Sequence, residues 1–353
     1  MRQTACHTLH LPSYVLFHED CLKTVNLLPR GFVDLIYADP PFFSGRSYSC
    51  NEMGFDDRWN SLSDYLEWMN LRLVGFSRIL KSTGTLYLHC DWHVSHYLKV
   101  LADRVFGLNN FLNEIVWQRQ SSHNDASQGS CHFGRIHDVI LVYAKTNRHV
   151  WNQQYTPYDE VYLKRAYRHV EPRTGRKYAL GDLTGPGGAS KRNPRYEFLG
   201  IERYWRYSQT RMRRLLRKGR ISHPKGKVPL LKRYLDEMRG RPIQDVWLDI
   251  RPVSTSRQNL QYPTQKPEAL LTRIISTSSN RDQLVYDAFA GSGTSAAVCY
   301  KMSRKWIGSE ISKHACRLTL NRLNALGCES AYPPTSEILL TSSMRLPRPS
   351  ESE

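Results

Sequence analysis

The sequence predicts an α/β fold, a mainly parallel sheet covered by helices on both faces, and three observations carry that expectation. Short apolar runs that read as buried strands alternate with longer stretches whose apolar residues recur at helical spacing. The alternation stops near Trp151 and resumes after Gln261, so a region of different character is inserted into one domain. At 353 residues the chain can bury one large core and still spare a smaller second region.

The elements follow in order. Residues 14–17 and 33–38 are apolar runs with strand character, each followed within a few positions by an acid. Residues 62–80 place Leu62, Tyr65, Leu66, Met69, Leu73, Phe76 and Leu80 on one side of a helix. Strand, helix and strand recur at 85–90, 95–106 and 113–119, and 138–144 (DVILVYA) is a further strand. The stretch 151–261 is rich in Tyr, Arg, Lys, Gly and Pro, with dense turn signals at 181–188 (GDLTGPGG). A helix at 267–278, a strand at 283–286, a helix from Thr294, a strand at 305–309 and a helix from Ser312 complete the alternation. Residues 328–353 are rich in Pro and Ser and read as a flexible tail.

Charge is distributed unevenly. The formal net charge is +18, and residues 161–241 alone hold 23 Lys and Arg against 6 Asp and Glu. A solvated face usually mixes signs, so a block this one-sided points to a polyanionic partner, with nucleic acid first among the candidates. Eight cysteines are scattered without a Cys-x-x-Cys pair or matching His spacing, which predicts reduced thiols and no metal site. Residues 1–13 lack an apolar signal core, and no run of about 18 apolar residues occurs, so a soluble cytoplasmic protein is expected.

Two motifs could carry chemistry. Asp39-Pro40-Pro41-Phe42 follows the strand VDLIYA and so emerges at the carboxyl end of the sheet, where α/β folds bind ligands. Two prolines stiffen the backbone and remove two donors, leaving the Pro40 carbonyl free to accept. An acid, a bare carbonyl and an aromatic plane held together would suit an amino group on a flat ring, with an acceptor for each hydrogen and a surface to stack on. An ordinary turn with a buried Phe would use the same four residues.

The second motif is Asp287-Ala288-Phe289-Ala290-Gly291-Ser292-Gly293-Thr294, between a strand and a helix. Glycines let the backbone approach a ligand, and the helix N-terminus offers N–H groups to a carboxylate. Glu310 stands 19 residues beyond Gly291 at the end of the next strand, where an acid can accept ribose hydroxyls. The spacing does not fit a dinucleotide fingerprint. A nucleoside with a small anionic end, such as S-adenosylmethionine, fits better.

With these residues quoted, the chain resembles the β group of DNA amino-methyltransferases, in which D-P-P-[YF] precedes F-x-G-x-G. The resemblance covers about residues 14–325 and includes the segment Tyr262-Pro263-Thr264-Gln265-Lys266-Pro267. It implies a seven-stranded, Rossmann-like methyltransferase sheet, circularly permuted so that its third and fourth strands come first, with an inserted basic target-recognition region. The implied division is 14–150 for the catalytic half, 151–261 for recognition and 262–327 for the cofactor-binding half. S-adenosylmethionine is the implied cofactor, with contacts from Asp20, Tyr262, Thr264, Lys266, Asp287, Phe289, Gly291, Ser292, Gly293, Thr294 and Glu310. Two departures are visible: Glu19 stands before Asp20 where glycine is usual, and Ala288 replaces a proline.

The resemblance further implies double-stranded DNA as substrate, an everted base, nucleoid association and a homodimer. Asp39 and Pro40 would accept the amino hydrogens, Pro41 would stiffen the turn and Phe42 would stack on the base. No proline precedes a cysteine, which disfavours cytosine-C5 chemistry. An acidic first residue in D-P-P-F favours adenine N6, with cytosine N4 as the alternative. Tyr204, Trp205, Arg206, Arg211, Arg213 and Arg214 are the candidate DNA contacts. The polar stretch His89-Cys90-Asp91-Trp92-His93 after a strand reads as structural or cofactor-side rather than as a metal site. A non-catalytic DNA-binding subunit and an RNA or protein amino-methyltransferase are the competing readings.

Overall fold

The computed structural model describes residues 13–47, 56–121, 129–224, 226–253 and 259–328. It divides into two units, Met1–Gln154 with Gln244–Glu353, and Tyr155–Ile243. Residues 329–353, nearly all of the expected tail, lie outside the described residues.

The first unit opens with β1 (Tyr14–Phe17), α1 (Cys21–Leu27), β2 (Val33–Ala38), α2 (Leu62–Ile79), β3 (Leu80–Cys90), α3 (Ser95–Phe106), β4 (Phe111–Gln118) and β5 (His137–Ala144). The second holds β6 (Tyr155–Thr156), α4 (Glu160–Ala166), β7 (His169–Val170), β8 (Lys177–Asp182), β9 (Arg195–Phe198), β10 (Ile201–Tyr204), α5 (Gln209–Arg217), β11 (Ile221–Ser222), β12 (Leu230–Tyr234) and β13 (Arg241–Pro242). The chain returns to the first unit with β14 (Val246–Trp247), α6 (Glu268–Ser278), β15 (Leu284–Asp287), α7 (Thr294–Lys301), β16 (Lys305–Ser309) and α8 (Lys313–Ala325).

In the first unit eight strands form one sheet in the order β1-β16-β15-β2-β3-β5-β4-β14. The first five run parallel, β5 runs antiparallel between β3 and β4, and β14 pairs parallel with β4. The last two long strands of the chain thus lie between its first two. All six residues of β2 are buried, as a central strand with both faces covered requires. Burying each of Leu35 and Ile36 contributes about 1.5–3 kcal/mol. Asp34 is the polar exception in that strand, and its Oδ2 is satisfied by Lys81 Nζ at 2.8 Å and the Leu284 N–H at 3.0 Å.

Helix α2 shows why the periodic reading worked. Ser61 caps it by accepting from the Asp64 N–H, and Tyr65, Met69, Leu73, Phe76 and Ile79 form its buried stripe. The strand after it starts at Leu80 rather than at residue 85, because the chain leaves the helix directly into β3 and Leu80 pairs with Val33. Among the described α-helices and strands of the first unit, α1 with seven residues and β14 with two are not foreseen by the sequence reading. Among the described residues no helix is long and apolar enough to cross a membrane.

The second unit is shorter than the 151–261 expected from composition, since residues 244–261 belong with the first unit and supply β14. It also has a core of its own. A four-stranded antiparallel sheet runs β11-β12-β8-β7, and β9 and β10 form a hairpin. Leu199 and Gly200, both at positive φ, make the two-residue turn that matches strand twist. Leu183, Phe198, Trp205, Met212 and Ile221 cluster behind it.

Trp205 is fully buried in that cluster and donates through Nε1 to the Tyr196 carbonyl at 2.8 Å. This corrects its assignment as a DNA contact: an indole held inside the unit has no surface to offer a partner. Trp205→Ala is expected to cost about 3–5 kcal/mol, the range for a deleted core aromatic. Denaturant unfolding measures this, and a loss below about 1 kcal/mol would contradict the packing described.

Candidate active site

The carboxyl ends of β2, β15 and β16 lie side by side, and this edge builds the site. Tyr37 is in register with Asp287, and Asp287 with Gly308, so the residues just beyond each strand converge. The Ala288 N–H donates to Tyr37 O at 3.1 Å, the Ala290 N–H to Ser309 O at 2.9 Å and the Glu310 N–H to Phe17 O at 3.0 Å. A cavity opens there, with Asp20, Asp39, Asp287 and Glu310 among its lining residues. Pro40, Pro41, Phe42, Tyr262, Thr264, Lys266, Phe289, Gly291, Ser292 and Thr294 also line it. Two stretches remote in sequence therefore share one pocket.

Asp39 Oδ2 accepts from Lys266 Nζ at 2.5 Å, while Asp39 Oδ1 is buried without a hydrogen-bond partner. The carbonyl of Pro40, a buried residue, takes part in none of the hydrogen bonds of the described residues, so two acceptors stand open on consecutive residues. Buried acceptors left unpaired cost stability, which makes such a pair a signature of a ligand's donors. Phe42 lies beside them, stacked on His89 with ring centroids 5.8 Å apart and Lys266 Nζ 5.5 Å from its own centroid.

The turn that presents these groups is held by a residue the sequence reading missed. Asp57, buried, accepts from the N–H groups of Phe42, Phe43 and Ser44 at 3.2, 2.9 and 2.8 Å, from Ser44 Oγ at 2.6 Å and from Trp59 Nε1 at 3.1 Å. Tyr65 adds its hydroxyl to the Pro41 carbonyl at 2.8 Å. Nothing in periodicity or spacing singles out Asp57, since the groups it binds lie thirteen to fifteen positions earlier in the sequence.

The glycine turn is tied down in a similar way. Gly291 has φ +51, and a Cβ there would meet Tyr262 at 3.4 Å. Gly293, at φ +72, faces away from the cavity: a Cβ would strike the Thr319 side chain at 2.6 Å, so its need is for helix packing rather than ligand contact. Thr294 Oγ1 donates to the Lys266 carbonyl at 3.1 Å, fastening the turn to the segment before α6. Glu310 accepts from the Gly291 N–H at 2.8 Å and the Ser312 N–H at 2.8 Å, one on each oxygen, and burial pushes its carboxyl above the usual range. Each oxygen retains capacity for a second donor. Asp20 caps α1 through the Leu22 N–H at 2.7 Å and pairs with the buried Arg72 at 2.5 Å, whose guanidinium lies over Trp68.

Lys266 points at Asp39 in this structure rather than standing alone on the cavity wall, a geometry the segment's resemblance did not suggest. The expected DNA contacts other than Trp205 lie on the second unit. Arg206, Arg211, Arg213 and Arg214 are exposed, Tyr204 is half-buried, Arg206 Nε donates to Thr184 O at 3.0 Å, and Arg211 lies 4.2 Å from the Tyr207 ring centroid. On α5 only Met212 is buried, and helical spacing puts Arg211, Arg213, Arg214 and Arg217 together on the face opposite it.

The N6/N4 methyltransferase family model, described as DNA methylase, matches residues 33–321. The Type II methyltransferase M.EcaI of Enterobacter cloacae is 30% identical over 326 residues, covering 89% of this chain and 70% of its own. The DNA adenine methyltransferase YhdJ of Escherichia coli K12 is 28% identical over 316 residues, covering 90% of this chain and 84% of its own. The fold is shared with a candidate DNA modification methylase of Thermus thermophilus, solved with S-adenosyl-L-methionine, at TM-score 0.50 and 13% identity over 91% of this chain and 99% of that one.

The crowded carboxylates supply a test that needs no relative. Burial, aided by Asp39 and Glu310 and opposed by the Ser295 hydroxyl and the Phe289 N–H, pushes the Asp287 carboxyl up to about 7. The folded form binds this proton more tightly than the unfolded chain, so its contribution to stability falls as pH rises from about 4 through about 7. Asp287→Asn removes that loss. The variant should gain stability relative to the parent between about pH 4 and about pH 8, measured by thermal melts, and a difference constant across that range would contradict the shift.

Proposed function

This chain belongs to the DNA methylase family, enzymes that use S-adenosylmethionine, and we propose that it methylates adenine N6 in double-stranded DNA. The observation that carries the reading is the pair of open acceptors, Asp39 Oδ1 and the Pro40 carbonyl, beside the Phe42 ring. An exocyclic amino group has two hydrogens and a lone pair delocalised into its ring. Accepting both hydrogens favours the pyramidal nitrogen whose lone pair is free to attack.

S-adenosylmethionine, when bound, supplies an electrophilic methyl group on a sulfonium cation. The residues present fit it: six acidic residues line one cavity and favour a cation, Glu310 would accept from ribose hydroxyls, and the α7 N-terminus would offer N–H groups to an amino-acid carboxylate. Tyr262, Thr264, Phe289, Gly291 and Ser292 would complete that wall, and Asp287 would set its charge. The chain's own contribution is positioning and electrostatics, with Asp57 and Tyr65 holding the D-P-P-F turn before the base arrives. The target base would have to leave the duplex to reach a pocket of this kind.

Adenine is favoured over cytosine N4 by the acidic first residue of D-P-P-F and by the likeness to a relative named as an adenine methyltransferase. For DNA the second unit is the proposed holder, with Arg206, Arg211, Arg213, Arg214 and Tyr204 as phosphate or base contacts.

Long-read detection of modified bases in DNA from cells expressing the chain would identify base and sequence together. N6-methyladenine is expected. Asp39→Ala should lower methylation by about 10²–10³-fold, and N4-methylcytosine as the product would replace the adenine reading. The double variant Arg213→Ala/Arg214→Ala should weaken DNA binding and reduce the slope of log affinity against log salt by about 2, measured by fluorescence anisotropy. An unchanged slope would remove α5 from the DNA surface.

A further inference from the structure

Methyl transfer to an amino nitrogen releases a proton, which needs an acceptor near Asp39. His89 lies directly behind the cavity wall. It is fully buried at the carboxyl end of β3, where Leu88 pairs with Ala38, and so stands beside Asp39. Its Nε2 is 3.2 Å from Asp138 Oδ2, its Nδ1 is 2.9 Å from the Tyr37 hydroxyl, and Nδ1 is 3.9 Å from the unpartnered Asp39 Oδ1. The ring is stacked on Phe42 and meets Trp117 edge-on, which fixes its plane.

We propose that His89, backed by Asp138, takes up the proton released at the amino nitrogen, by way of Asp39 Oδ1. This rests on the amino-methyl transfer argued above. As the nitrogen lone pair forms the bond to carbon, the carbon–sulfur pair departs with sulfur. The N–H bond facing Asp39 then breaks, its electron pair returning to nitrogen and its proton moving to Oδ1. That proton passes to His89 Nδ1, restoring the Asp39 carboxylate.

The neighbouring groups leave His89 as the acceptor. Lys266 already donates to Asp39 Oδ2 and has no lone pair to offer. Tyr37 keeps its own proton, since burial and the nearby carboxylates push its hydroxyl well above the usual range. With Nε2–H directed to Asp138, Nδ1 is the accepting nitrogen; its lone pair takes the Tyr37 O–H here, and that hydroxyl must turn its proton aside as Oδ1 closes the gap by about 1 Å to reach hydrogen-bond range. The imidazolium so formed would be held by Asp138. Burial there acts to raise the carboxyl, but the His89 contact, Lys266 and Arg119 outweigh it and hold it below the usual carboxylate range. Arg119 approaches from the end of β4, with NH1 3.4 Å from Asp138 Oδ1.

His89→Phe keeps an aromatic plane against Phe42 and removes both nitrogens. Single-turnover methylation should fall about 10²-fold with KM for DNA and for S-adenosylmethionine unchanged. The parent pH–rate profile should show an acidic limb, and this limb should vanish in His89→Phe. Asp138→Asn should give a smaller loss, and with the parent pH profile it decides the matter if His89→Phe does not fold. A parent profile without the acidic limb, or both variants within about twofold of the parent, would overturn the relay. Asp39→Ala separates the two ideas: an active Asp39→Ala defeats the amino-acceptor reading itself, whereas an inactive one beside a fully active His89→Phe defeats only the relay.

Discussion

The parallel pairing of β2 with β15 is the constraint on which the site depends. Parallel neighbours cannot be joined by a tight turn, and here the intervening chain includes half of the sheet and an entire second unit. The pairing is secured at both ends, by the Leu284 N–H on Asp34 across 250 residues and by the Ala288 N–H on Tyr37. Because the strands run the same way, their carboxyl ends fall together. An acid at the end of one and a glycine turn at the end of the other then line the same cavity without any loop having to bridge the sheet.

Within that frame the site is rigid where it would meet a base and charged where it would meet a cation. Asp57 draws three consecutive N–H groups to itself, so the D-P-P-F backbone is set in the protein rather than by its ligand. Lys266 occupies one oxygen of Asp39 and leaves the other open, which reduces a symmetric carboxylate to a single directed acceptor. Burial, with the nearby carboxylates of Asp39 and Glu310 adding to it, holds the Asp287 proton up to about 7. A sulfonium cation placed beside these carboxylates would favour their charged forms.

Legibility in the sequence followed the range of the interactions. Strands β2, β5 and β16 and helices α2 and α3 were readable because burial on a fixed face imposes a period that the residues must obey. The D-P-P-F and glycine-turn residues were readable because each needs a local backbone that only Pro or Gly supplies. Asp57, the Asp138–His89 contact and the Lys266–Asp39 pair were not, since each joins residues that only the tertiary fold brings together. Trp205 misled for a related reason. Its neighbours Arg206 and Tyr204 suggest a surface, but the adjacent turn places its ring among Leu183, Phe198 and Met212. Composition likewise set the second unit too wide, because residues 244–261 are polar like the insertion yet carry the short strand that extends the main sheet.

A crystal structure of this chain with duplex DNA and a non-reactive analogue of S-adenosylmethionine would measure the central contact directly. The account predicts an everted adenine stacked on Phe42, its N6 about 3 Å from both Asp39 Oδ1 and the Pro40 carbonyl. A base whose amino group lies beyond hydrogen-bond reach of both acceptors, or one bound away from the edge where β2 and β15 end, would contradict it.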